Sequence, residues 1–198
     1  MKNFITFLAI ILFSAATFSQ TWPGSLCGRW TFDNPTNLLQ ATVGNNLTLT
    51  GTHAACQGST TGDGAVAIGV GSYYTCTHGI PSNGGGSGVN EYSILFDVMI
   101  DNPTVYHSFF QTNQVNSNDG DMFFNASSQI GISATGYTGF SARARQWYRV
   151  VITVDNGSSL RYYVDGKLVL IGNSQPVGGT YSLDPTVLFF ADENGEDN

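Results

Sequence analysis

Charge is scarce in this 198-residue chain, and positive charge scarcest of all. Only 11% of residues are charged, and seven Lys and Arg face fourteen Asp and Glu for a formal net charge of −7. No basic patch and no Lys/Arg-rich segment is present, which excludes the electrostatic footprint of a nucleic-acid or anionic-membrane partner. Cysteine is nearly absent as well. Cys27, Cys56 and Cys76 match no zinc spacing, and no neighbouring His completes a Cys–His nucleophile. In an exported chain this odd count leads us to expect one disulfide and one buried thiol. Past the N-terminus no window of a dozen residues keeps a helical apolar stripe, so no helix is needed.

Long apolar runs are missing too, with one exception. The first twenty residues carry Lys2, an apolar run from Phe4 to Phe13 and then small residues. That run is too short for a membrane span and has the form of a secretory signal peptide ending at Ser19. The expected organisation is therefore a signal peptide over 1–19 and one domain over 20–198, secreted or held at the cell surface, with no membrane span after cleavage. Oligomeric state is not legible in the sequence.

What the chain does have is glycine, 24 residues of it, and short runs rich in Val, Ile, Thr, Tyr and Phe. Such a composition suits many short strands joined by tight turns. The clearest run is WYRVVITVD, Trp147 to Asp155. Its even positions Tyr148, Val150, Ile152 and Val154 are all apolar and its odd positions are mixed, the period of a half-buried strand. Leu160, Tyr162 and Val164 repeat the pattern, and Asp165-Gly166 supplies a two-residue hairpin turn into Lys167 to Ile171. Further strands are predicted at about 29–33, 46–51, 65–70, 72–77, 92–100, 106–112, 121–125, 130–133 and 187–191, which together point to an antiparallel sandwich or barrel. The segment SNGGGSGVN, residues 82–90, lacks a Lys and leads into a strand, so it is read as a flexible turn and not as a phosphate cradle.

The chain resembles the laminin G-like, concanavalin A-like jelly-roll modules of secreted Bacteroidota proteins. The resemblance lies in WTFDNPTNL with VGNNLTLTG, in GSYYTCTHGIPSNGGGSGVNEYSILFDVMI, and in QWYRVVITVD, YYVDGKLV and SLDPTVLFFADENGED. It implies an all-β, two-sheet antiparallel jelly roll with Trp30, Phe32, Leu49, Ile68, Leu95, Val150, Ile152, Val154, Tyr162 and Val164 inside. Modules of this kind continue past DENGEDN with another core strand, so the resemblance also implies that the last strand is missing and the domain is C-terminally incomplete at Asn198.

Laminarinase-like glycoside hydrolases share this fold. A retaining mechanism needs two carboxyl groups about 5 Å apart, and in that group they come from a Glu-x-Asp-x-x-Glu strand. No strand here shows it: Glu91 opens a strand, while Glu193 and Glu196 lie in the terminal loop. Asp97, among Phe96, Val98 and Met99, is expected to be a buried structural carboxylate. The reading is a non-catalytic extracellular carbohydrate-binding or adhesion module, with a glycoside hydrolase or a structural, partner-docking domain as alternatives. A glycan or another cell-surface molecule is the expected partner.

Aromatic rings give sugar C–H faces a flat surface, and polar neighbours bond the hydroxyls. The candidates beside turns are Tyr106, His107, Tyr137 and Tyr181, with Arg149, Arg161 and Tyr163 on the non-core face of the hairpin. Trp147 is assigned to the core or its margin, as the resemblance implies. The acidic loops NSNDGD and ADENGED offer Asp119, Asp121, Asp192, Glu196 and Asp197 as hard oxygen ligands for a calcium ion. Their spacing is not that of the twelve-residue helix-loop-helix motif. His53, His78 and His107 are scattered and suggest no metal site. Asn46, Asn125 and Asn156 fit the glycosylation sequon.

Overall fold

The computed structural model describes residues 25–115 and 119–190, and these contain thirteen strands and no helix. In chain order they are β1 (Thr48–Thr50), β2 (His53–Gln57), β3 (Gly64–Ile68), β4 (Tyr73–Thr77), β5 (Glu91–Met99), β6 (His107–Gln111), β7 (Asp121–Phe124), β8 (Ile130–Ile132), β9 (Gly136–Tyr137), β10 (Trp147–Asp155), β11 (Ser159–Val164), β12 (Lys167–Gly172) and β13 (Thr186–Phe189). One sheet runs β1-β4-β13-β6-β7-β8-β9 and the other β12-β11-β10-β5, while β2 and β3 form a separate hairpin. All strand pairs are antiparallel. No helix of the described residues is long and apolar enough to cross a membrane.

The alternation of β10 decides which way its sheet faces. Val150 and Ile152 are fully buried and Tyr148 and Val154 nearly so, as are Leu160, Tyr162 and Val164 of β11. Asp165 and Gly166 both take positive φ (48° and 77°), the geometry of a primed hairpin turn. The inward faces meet in an aromatic layer. Phe96 of β5 lies 5.5 Å from Phe109 and 5.8 Å edge-on from Phe189, and Phe109 lies 4.9 Å from Phe124. Such ring pairs add to the burial that drives sheet-on-sheet packing.

Asn90 ties the loops at one end. Its side chain is fully buried; Nδ2 donates to the carbonyls of Asn83, Gly85 and Gly88, while Oδ1 accepts from Asn156 Nδ2 and the Gly178 amide. The glycine-rich segment read as a flexible turn is thus a turn wrapped around one amide. Asn156 and Asn125 are buried, which removes two of the three sequons as modification sites.

Other expectations need correction. The strand expected at 29–33 is reduced to a single bridge, Arg29 to Val43, because Phe32 adopts φ 58° and breaks the extended path. β13 likewise ends before Phe190, whose φ is 67°. β2 and β9 were not foreseen: HAACQ is poor in β-formers, and β9 is two residues long. Leu95 is 39% exposed and not in the core; β5 turns Ile94, Phe96 and Val98 inward instead. The remaining expected core residues are buried or pack against the core. No disulfide forms: Cys76 is buried in β4, Cys56 is exposed on β2 and Cys27 is half-buried, and all three thiols are free.

Candidate functional site

In antiparallel strands, residues directly opposite one another project from the same face, so register reads out the outer surface of the four-stranded sheet. Leu95, Val151, Tyr163 and Leu168 form one rank across all four strands. Ser93, Thr153, Arg161 and Ile171 form the next. On the other side of the apolar rank come Asp97 with Arg149, then Met99 with Trp147. Leu95, Met99, Leu168 and Ile171 are all exposed on this surface, which makes it unusually apolar for the outside of a sheet.

At the Trp147 end the surface dips into an open cleft of about 460 Å³ lined by Ser59, Asp97, Trp147, Tyr148, Arg149, Asp165 and Gly166. The guanidinium of Arg149 grips Asp97 with two parallel bonds, Nε to Oδ1 and Nη2 to Oδ2, each 2.7 Å. Both side chains are about half exposed, 53% and 45%. The bond to Asp97 pushes the Arg149 pKa above its ordinary value, against a smaller downward pull from burial. Asp165 accepts the backbone N–H of Arg149 at 2.9 Å, so the hairpin turn of β11 and β12 sets the cleft wall. The cleft therefore offers a half-buried indole and a half-exposed ion pair that has N–H groups and lone pairs to spare. Asp97 is thus an exposed partner of Arg149 and not the buried carboxylate expected, and Trp147, expected in the core or at its margin, is half-buried on the outer face.

The other expected ligand residues disperse. Arg149, Arg161 and Tyr163 share the outer face described above, with Arg161 bonded to Ser159. Tyr106 is 46% exposed and packs edge-on against Phe123 at 6.3 Å. Tyr137 is 37% exposed; burial first, and the nearby Tyr106 second, raise its pKa. These two tyrosines make a smaller aromatic group on the seven-stranded sheet. His107 is half-buried and bonded to the Asn102 carbonyl. Tyr181 is buried, contrary to expectation, with its hydroxyl donating to the Asp121 carbonyl at 2.6 Å.

Of the five expected calcium ligands, Asp192, Glu196 and Asp197 lie outside the described residues. Among the described residues no three His, Cys, Asp or Glu side chains assemble to hold a metal ion. The histidines have separate roles. His53 Nδ1 meets the Tyr74 hydroxyl, and His78 accepts the Ile80 N–H at Nδ1, which leaves Nε2 to donate to the Asp184 carbonyl.

Asp97, Trp147 and Asp165 escaped the candidate set. The signal that could have found them was the odd face of WYRVVITVD itself, which carries a Trp and an Arg two positions apart, together with a carboxylate at the equivalent place on a neighbouring strand.

Two antiparallel sheets stacked over an aromatic layer define a jelly-roll sandwich. A family model described as the concanavalin A-like lectin/glucanases superfamily matches residues 87–197, more than half of the chain. The chain belongs to this superfamily. No curated protein sequence matches it. Among solved structures it is similar to domain 4 of AbnA, a GH43 extracellular arabinanase from Geobacillus stearothermophilus, in complex with arabinotriose. The identity is 21% and the TM-score 0.57, over 84% of this chain and 82% of that one. It is also similar to a receptor binding domain at 15% identity and TM-score 0.51, over 84% of this chain but only 44% of the other. At these identities the likeness is one of fold.

Proposed function

We propose that the domain is a non-catalytic carbohydrate-binding module of an exported protein, and that it holds its glycan on the outer face of the four-stranded sheet. The observation that carries this reading is the placement of Trp147 beside the Asp97–Arg149 pair in an open cleft. A sugar ring lays its C–H face on the indole while its hydroxyls bond to the ion pair, and the apolar rank through Leu95, Val151, Tyr163 and Leu168 extends the contact along the sheet. A domain of the same fold has been seen with arabinotriose, which supports the reading. The N-terminal 19 residues, read as a signal peptide, support export of such a module.

The arrangement of the carboxylates favours binding over hydrolysis. Both carboxylates of the cleft are taken up in holding its shape: Asp97 accepts two guanidinium bonds and Asp165 accepts a backbone N–H.

A glycan array read alongside a reducing-sugar release assay tests the proposal. Binding without turnover is the expected result. Turnover abolished by substituting a single carboxylate overturns it in favour of a hydrolase, and no binding to any glycan at millimolar concentration favours a docking domain.

A further inference from the structure

We infer that the Asp97–Arg149 pair restricts this face to neutral sugars, with Asp97 as the specificity-determining residue; the inference rests on the carbohydrate reading above. Recognition of a uronate, sulfate or sialate needs a cation with open donors. Among the described residues Arg149 is the one cation lining the cleft, and its forked edge is already filled by both oxygens of Asp97. Asp165 stands on its other side and accepts its backbone N–H. The lining thus holds two carboxylates and one guanidinium, a local charge of −1, on a chain whose net charge is −7.

Among the described residues no other Lys or Arg lines the cleft, and Arg145, two residues before Trp147, is bonded to Asp101. Arg161 lies in the rank of Thr153, four residues along β10 from Arg149 and about 13 Å away at strand spacing, and it is bonded to Ser159. Lys167 stands opposite the inward-facing Val164 and does not line the cleft. A hydroxyl both donates and accepts, so a neutral polyol satisfies the spare N–H groups of Arg149 and the spare lone pairs of Asp97 together. A carboxylate can only accept, and meets two like charges.

The test compares laminaritetraose, cellotetraose and arabinotriose with a galacturonate tetramer, titrated by calorimetry into the wild type, Asp97→Asn and Asp97→Asn/Asp165→Asn. Asparagine tolerates the positive φ of position 165 and keeps an acceptor for the Arg149 N–H, so the turn is preserved; a thermal melt of each variant verifies the fold. The wild type is expected to bind a neutral probe and to give no signal with galacturonate. The double variant, whose lining changes from −1 to +1, is expected to gain galacturonate binding by roughly tenfold or more, weakening with added salt, and Asp97→Asn alone to gain less. Galacturonate binding by the wild type at or above the strength of every neutral probe overturns the inference and leaves the carbohydrate reading standing. So does a folded double variant that gains nothing. Absence of binding to all four probes by the wild type and both variants overturns the inference, while the carbohydrate reading itself stands or falls on the glycan array.

Discussion

The hydroxyl of Tyr162 in the four-stranded sheet meets the hydroxyl of Thr135, in the β8–β9 turn of the seven-stranded sheet, at 2.9 Å. Both residues are buried, at 0% and 2% exposure, so a polar bond joins the sheets in the interior, in a cluster that the buried Tyr181 shares. Tyr162→Phe removes one partner and keeps the ring. The expected cost is about 1 kcal/mol, with more if Thr135 is left without a compensating partner. Urea unfolding at constant m measures it.

Burial of acidic protons makes this fold sensitive to alkali. Cys76 is pushed up to about 11 by burial, and Tyr74 and Tyr162 to about 12 by the same cause. Their ordinary values are 9.0 for the thiol and 10.0 for the phenols. Between the two values the folded state holds protons that the unfolded chain has released, so stability falls as pH rises. The contribution is whole below pH 9 and is lost progressively towards pH 12. Unfolding midpoints should be flat from about pH 7 to 8.5 and then decline, and Cys76→Val should make the first part of the decline shallower, leaving the smaller share of Cys56, whose thiol burial also raises, and then the phenols. A midpoint that rises above pH 9 contradicts the assignment.

The two faces of the four-stranded sheet should respond differently to truncation. Ile152→Ala empties a fully buried position and is expected to cost about 2 to 5 kcal/mol. Leu95→Ala, on the exposed apolar rank, should cost less than about 1 kcal/mol. Chemical denaturation of both variants checks the assignment of faces, and equal costs would contradict it.

Thiol chemistry gives a direct reading of the cysteines. Cys56 is exposed and Cys76 buried, so a maleimide at pH 7 should label Cys56 in the folded domain and reach Cys76 only after unfolding, as mass spectrometry of peptides would report.

Trp147 is the residue whose loss should separate binding from folding. Trp147→Ala is expected to weaken glycan affinity by about tenfold or more, the value of a lost stacking partner, with a small change in melting temperature. Tyr106→Ala and Tyr137→Ala, on the other sheet, should leave affinity within about twofold. The reverse pattern moves the binding face to the seven-stranded sheet.

The architecture was legible wherever hydrophobic period and turn chemistry agreed. WYRVVITVD is β10 residue for residue, and Asp165-Gly166 makes the turn that its type demands. β5 was legible as a strand but not in its facing, because Ser93-Ile94-Leu95-Phe96 places three apolar residues in a row and only pairing with β10 tells which two point inward. The same ambiguity hid the site: Asp97 follows Leu95 on the outer face, and a carboxylate between apolar neighbours reads as buried until the register sets it against Arg149. Tyr181 failed for the converse reason. It sits among Gly, Thr and Ser, as surface tyrosines do, yet its ring is drawn beneath the loop to reach a carbonyl sixty residues away in sequence.

Asn90 gives the fold an anchorage that small disulfide-stapled domains draw from covalent bonds. With three loops distant in sequence fastened to one amide and every thiol free, the covalent staple usual in such domains is replaced by hydrogen bonds that form on folding. Refolding yield is therefore expected to be the same with and without dithiothreitol, and a yield that needs an oxidant would contradict the free thiols.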